Sequence, residues 1–380
     1  MPTARQRSRR SRPSRSRLKS SLLRRNLLVL SLALLACILY ILLSGSSSVA
    51  SPASSQLTSS NYPLRTLAAN RRLFIGAAVA IRPLREQPQY HDTLVREFNV
   101  VTPENVMKFS LIHPERDRYD FTDADAVVNV ARTHGMQVRG HTLVWHQQMP
   151  EWLSSIAKDE VKAVLQDHIT TVVSHYRGQV AAWDVVNEAI ADDSSLRNSF
   201  WLQSLGADYI DWAFQWAHSA DPEARLVYND YGAEGLNSKS DAVYAFVQGL
   251  LQRNVPIHGV GLQMHVSLAD FPAPADVTAN VRRLVNLGLA VDITEMDVRL
   301  KEPATASDRV RQGQVYQQLL AACLAGGGCQ TTVLWGFTDR HSWVPSFFPG
   351  WGSALIFDQN YRPKPAYYAL QRYLASPLLQ

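Results

Sequence analysis

The sequence predicts an α/β fold, a closed (β/α)8 barrel. Three observations lead there. Eight short apolar or β-branched segments, at 73–79, 99–102, 137–145, 181–188, 225–230, 259–265, 290–298 and 331–337, read as strands. Longer amphipathic segments alternate with them, near 86–98, 122–134, 158–176, 199–219, 238–253, 275–288 and 307–325, with a last one at 364–374. Eight such units in about 300 residues match a barrel in which each strand is followed by an outer helix. An open doubly wound sheet is the competing fold, but no Gly-rich phosphate loop follows the first strand.

The strands justify themselves in order. Runs such as Val260-Gly261-Leu262-Gln263 and Val291-Asp292-Ile293-Thr294 are apolar or small on both sides, as strands buried on both faces must be. Their polar and aromatic exceptions crowd the C-terminal ends. Glu104, Asn105 and Lys108 follow the second strand, His141 and Trp145 lie on the third, and Asn187 and Glu188 end the fourth. Asn229, Asp230 and Tyr231 close the fifth, Gln263 and His265 the sixth, Glu295 and Asp297 the seventh, and Trp335 and Trp343 belong to the eighth. Such residues in apolar strands are costly unless they line a solvated cleft, and barrels build their sites at that face.

Before the barrel the chain changes character twice. Ten of the 38 basic residues fall within the first 25 positions, which hold no acid, so the remaining 28 face 33 acids and the body carries a formal charge of −5. Net charge therefore gives the body no nucleic-acid reading. The basic tail (1–26) precedes an apolar segment (27–43, Leu27 to Leu43) broken only by Ser31. As a helix it would span about 25 Å. A basic flank before an apolar run is the order of an export signal, either cleaved after Ser48-Val49-Ala50 or retained as a membrane anchor. Export would place the body in the medium or on the outer side of the membrane. Residues 44–69, rich in Ser, Ala and Pro, read as a linker, and the catalytic body is placed at 70–380.

Of three cysteines, Cys37 lies in the apolar run. Cys323 and Cys329 are separated by Leu-Ala-Gly-Gly-Gly, flexible enough to close a small ring, so a disulfide is expected, with two free thiols as the alternative. With no further Cys cluster, neither a metal site nor a cofactor is expected.

Glu188 and Glu295 stand at the ends of strands four and seven, with Asn187 beside one and Asp297 two residues beyond the other. Glycoside hydrolysis needs such a pair, a protonated acid at the leaving oxygen and an ionised partner across the sugar, about 5–5.5 Å apart for retention.

With these residues in place the chain resembles glycoside hydrolase family 10, the xylanases, over residues 70–375. The resemblance rests on Pro103-Glu104-Asn105-Val106-Met107-Lys108, Arg139-Gly140-His141-Thr142-Leu143-Val144-Trp145-His146, the segment 183–189 and Tyr228-Asn229-Asp230-Tyr231. It continues through the segments 259–265 and 291–298, Trp335-Gly336-Phe337-Thr338-Asp339, Ser342-Trp343 and the segment 357–368. It implies a TIM barrel that cleaves internal β-1,4 bonds of xylan with retention, Glu188 as acid/base and Glu295 as nucleophile. Asn187 and Gln263 would contact the sugar being attacked. His265 would partner Glu295, and Asp297 would orient that imidazole. Glu104, Asn105, Lys108, His141 and Trp145 would hold the two sugars on the non-reducing side, and Trp335 and Trp343 would form the aromatic walls of the cleavage-point sugar. Phe109, Gly232 and His258 depart from the family's usual Trp, Asn and Asp. The competing readings are a barrel glycosidase acting on a β-glucan and a non-catalytic carbohydrate-binding barrel.

Overall fold

The computed structural model describes residues 62–376. The basic tail, the apolar segment 27–43 and most of the linker lie outside the described residues. Strands β1 (Phe74–Val79), β2 (Val100–Pro103), β3 (Gln137–Val144), β4 (Ala182–Asn187), β5 (Arg225–Asp230) and β6 (Gly259–Leu262) pair in sequence order, each parallel to the next. A short β7 (His265–Ser267) lies beside β8 (Ala290–Lys301), which also pairs with β6. Strand β9 (Thr331–Leu334) joins β8 to β1 and closes the parallel barrel of eight strands, as expected from the sequence. The two-residue β10 (Trp351–Gly352) pairs antiparallel with the far end of β8.

Small residues let both faces of the sheet pack closely. A Cβ on Gly140 would overlap the Trp183 indole, and one on Gly261 would overlap the Asn229 side-chain oxygen. Glycine at the first place leaves room for a large side chain on the helix-facing side, and at the second for a polar one inside the barrel. The outer helices follow the amphipathic segments, with one short helix added before the first and one expected helix, 199–219, divided. Pro88 starts a new helix (Pro88–Glu97) after Ile81–Glu86, and Gly206, at φ +70°, separates Phe200–Leu205 from Asp208–Ala220. Asn237 and Thr305 form capping boxes at the starts of Ser238–Gln252 and Ala306–Ala325.

The linker expected to run to residue 69 ends earlier. Leu64–Asn70 is a helix whose Leu64, Leu67 and Ala68 are buried, an i, i+3, i+4 stripe that the surrounding Ser/Ala/Pro composition obscures. Its first N–H donates to the buried Glu97 carboxylate at 3.1 Å, so the helix belongs to the body. The Cys323–Cys329 disulfide is formed at the turn from Ala306–Ala325 into β9, where the Cys329 N–H donates to Val291 O at 2.6 Å. Among the described residues no helix is long and apolar enough to cross a membrane.

Because Leu67 is 1% exposed, Leu67→Ala should destabilise the protein by about 2–5 kcal/mol. An unchanged denaturant midpoint would return this segment to the linker.

Candidate active site

The C-terminal ends of the strands open into one cleft of about 810 Å³. Twelve residues singled out from the sequence line it: Glu104, Asn105, Lys108, His141, Trp145, Asn187, Glu188, Gln263, His265, Glu295, Trp335 and Trp343. Asp297 is fully buried behind His265, and the disulfide belongs to the turn before β9 rather than to the cleft.

Glu188 follows β4 in a left-handed conformation, φ +58°, which a residue with a Cβ adopts only when its surroundings impose it. Two contacts do so. Its N–H donates to Asn229 O at 2.8 Å, and Arg197 Nε donates to its carbonyl at 2.8 Å. The carboxylate is 8% exposed and accepts from neutral donors: Trp145 Nε1 at 2.9 Å, Gln263 Nε2 at 3.0 Å and Asn187 Nδ2 at 3.3 Å. The Trp145 indole is seated in turn by Trp201 Nε1, which donates to the Trp145 carbonyl at 2.8 Å.

Glu295 lies on β8 and is 4% exposed. Asn229 Nδ2 donates to its Oε1 at 2.7 Å, and His265 Nε2 lies 3.1 Å from its Oε2. The other imidazole nitrogen, Nδ1, lies 2.8 Å from Asp297 Oδ2, which also accepts from Trp343 Nε1 at 2.9 Å. Burial pushes His265 down, but the Asp297 charge and hydrogen bond, joined by Glu295, raise it to about 10. Burial pushes Glu295 up, yet the His265 hydrogen bond and the charges of His141 and His265 hold it below the ordinary carboxylate range. His265 is therefore an imidazolium lying between Glu295 and Asp297.

At the other wall Lys108 Nζ donates to Asn105 Oδ1 at 3.1 Å and stands 4.8 Å from the centre of the Trp145 ring. Burial lowers its pKa against the opposing pull of Glu295, Glu104 and Glu188. Burial raises that of Glu104, with Lys108 opposing. Trp335 meets the His141 and His265 rings edge-on, centroids 5.1 and 6.1 Å apart. Beneath, Arg139 binds Asp184 and reaches Asp292 at 3.3 Å, while His141 Nδ1 lies 3.0 Å from Asp184. The buried guanidinium thus has two carboxylates and the floor is internally compensated.

Two residues with no role assigned from the sequence complete the site. Asn229 is fully buried and donates to both Asn187 Oδ1, at 2.8 Å, and Glu295 Oε1, while its own oxygen accepts from Thr294 Oγ1 at 2.7 Å. Its signal was present as an amide at the inward end of an apolar strand. Arg197 also donates to Ile190 O, at 3.2 Å, and to the Tyr231 hydroxyl, at 3.1 Å. It comes from an irregular loop, where no periodicity points to a target.

A parallel barrel with paired glutamates in a tryptophan-walled polar cleft at its C-terminal face defines a glycoside hydrolase. Residues 63–373 match the model of Glycosyl hydrolase family 10, and the chain belongs to that family. It is 43% identical over 329 residues to endo-1,4-beta-xylanase B of Thermotoga neapolitana, covering 85% of this chain and 95% of the relative. The structure is similar to native xylanase 10B from Thermotoga maritima, with a TM-score of 0.80, 44% identity, and 82% and 98% of the two chains covered. Xylanase 10B from Thermotoga petrophila in complex with xylobiose matches with a TM-score of 0.81, 44% identity, and 83% and 97% covered.

The raised His265 value sets a sign. Stability from its ion pairs is present in full below the free imidazole value of about 6.5 and lost as pH rises through about 10. Nitrogen NMR should find His265 doubly protonated at pH 8, and Asp297→Asn should move its midpoint down. A midpoint at or below the free value in the unsubstituted protein would refute the assigned pairing.

Proposed function

We propose that this chain is a retaining endo-β-1,4-xylanase in which Glu295 is the nucleophile and Glu188 the acid/base. The observation behind this division is the asymmetry of donors. Glu295 faces an imidazolium and an amide, which favour its ionised form, whereas Glu188 accepts hydrogen bonds only from neutral indole and amide groups, with the His146 imidazole, pushed down by burial, 3.8 Å away. Family membership and the xylanase relatives support the substrate class.

In the first step Glu295 attacks the anomeric carbon while Glu188 gives its proton to the departing glycosidic oxygen. The C–O bond breaks and a glycosyl-enzyme ester forms. Glu188, now ionised, takes a proton from water, which attacks the same carbon and releases Glu295, so two inversions give retention. Asn187 and Gln263, both linked to Glu188, would contact the sugar under attack. Glu104, Asn105, Lys108, His141 and Trp145 would bind sugars on the non-reducing side, while Trp335 and Trp343 wall the cleavage-point sugar.

The same proposal places the body outside the cytosol, with segment 27–43 as signal or anchor. The Cys323–Cys329 disulfide supports an oxidising compartment. Intact-mass analysis of natively produced protein distinguishes cleavage near Ser51 from a retained segment, and free thiols at both cysteines would count against export.

Digestion of arabinoxylan, carboxymethylcellulose and mannan should yield short products only from arabinoxylan, with the β-anomer appearing first by NMR. Glu295→Ala should abolish turnover of every substrate. Glu188→Ala should lose xylan but still be glycosylated by activated aryl glycosides whose leaving group needs no proton. Equal loss of that first step on both substrates would overturn the division of roles.

Trp343→Ala should narrow the xylan-to-glucan ratio in kcat/KM because it opens space for a hydroxymethyl group. The structure adds a second effect, loss of the donor to Asp297. Trp343→Phe should therefore lower kcat while largely keeping the ratio, and equal loss of both polymers in Trp343→Ala would place specificity elsewhere.

A further inference from the structure

Arg299 lies four residues beyond Glu295 on β8 and lines the same cleft. Alternation along the regular stretch paired with β7 puts Asp297 and Arg299 on one face, and Arg299 lies roughly 13 Å along the strand from Glu295 at about 3.3 Å per residue. Its backbone is held on both sides. Ser267 of β7 stands opposite it, its carbonyl accepts from Leu268 N at 3.0 Å, and β10 pairs with Leu300 and Lys301 just beyond.

Other cations at the cleft have polar partners, and Lys108 donates to Asn105 Oδ1 at 3.1 Å. Arg197 is taken up by two carbonyls and the Tyr231 hydroxyl, and Lys239, stacked on Tyr231, pairs with Asp230 at 3.1 Å and Asp192 at 3.4 Å. Among the described residues the Arg299 guanidinium has no carboxylate or carbonyl partner. It rests on aromatic rings instead, 4.2 Å from the centre of Phe348 and 5.6 Å from that of Trp351. A guanidinium stacked in this way keeps its N–H edge free, pre-set for a bidentate carboxylate. Beside it Phe347 is 65% exposed, an apolar wall at the cleft mouth able to pack against the C–H face of a sugar.

We propose that Arg299, with Phe347 and Phe348, forms a subsite for a carboxylate-bearing branch of the polysaccharide, a hexuronic acid attached to the xylan backbone. The inference rests on the xylanase reading for the identity of the backbone. The carboxylate is the anion that a glycan presents in a glycan cleft, and a rim position suits a branch better than the backbone itself. No covalent step is involved, so the site acts on selection among chains.

The test is binding with turnover blocked. Glu295→Ala and the double variant Glu295→Ala/Arg299→Met are titrated with a uronic-acid-branched xylo-oligosaccharide and with the same compound after reduction of its carboxyl. The single variant should bind the acidic compound about fivefold to tenfold tighter than the reduced one, and the double variant should bind both alike. The difference should shrink as salt is raised, because the site is open to solvent. A ratio that is the same with and without Arg299, or no preference in the single variant, overturns the proposal. Failure of the unsubstituted enzyme to cleave xylan, with the Arg299-dependent ratio intact, would overturn the xylanase reading and leave the acidic subsite standing.

Discussion

A carboxylate taken out of water must be given its hydrogen bonds back, and two of them brought to one end of a barrel must also be kept from repelling each other. Asn229 answers both demands. From the end of β5 its amide group donates to Glu295 and to Asn187, and Asn187 donates onward to Glu188. The two glutamates are thus joined by amides rather than left facing each other, while Thr294 fixes the amide's orientation through its oxygen. Gly261 is bare because the Asn229 oxygen occupies the space where its Cβ would lie.

The backbone is bent to serve the same geometry. Register shifts occur between His141 and Val144, between Asp184 and Val186, and between Ile293 and Met296, each within a few residues of a cleft side chain. A regular strand alternates its side chains strictly, so a shift is the available way to re-aim one without breaking the barrel. Glu188 and Met264 go further and adopt left-handed conformations at φ +58° and +65°. Such residues cost roughly 1–3 kcal/mol each and persist where neighbours over-determine them. For Glu188 the determinants are Asn229 and Arg197. For Met264 the determinant is the buried Glu234 carboxylate, which accepts its N–H at 3.0 Å.

These bends mark where the sequence stops being readable. Strand positions and the cleft-facing ends were legible because burial imposes an apolar code that Glu, His, Asn and Trp interrupt visibly. The sixth strand, expected to run to residue 265, stops at Leu262 because Met264 turns the chain, and no residue type there announces it. Leu64–Asn70 was hidden for a different reason, since its apolar stripe is only two turns long and adjoins a low-complexity stretch. Arg197 was hidden because its targets are backbone carbonyls, which every residue has. Which side chains gather at the cleft could be read from the sequence, whereas the links made through backbone shape, and the Asn229 bridge between them, could not.

On the proposed roles, Trp343 would tie sugar recognition to the state of the imidazole beside Glu295. Its ring packs edge-on against His265 at 4.9 Å, and its N–H donates to the same Asp297 oxygen that His265 uses. The other Asp297 oxygen is buried without a hydrogen-bond partner among the described residues, so once that donor is gone His265 alone holds the carboxylate. Were wall and brace separate side chains, the pocket could be reshaped by changing the wall alone. Here, enlarging the pocket at Trp343 loosens Asp297 and with it the imidazolium beside Glu295. Changes in sugar preference that spare catalysis must therefore come from outside the wall. Phe347 and Phe348 meet the outer side of Trp343 at 5.0 and 5.5 Å and their side chains bond to nothing around Glu188 and Glu295, so volume can change there while the brace stays intact.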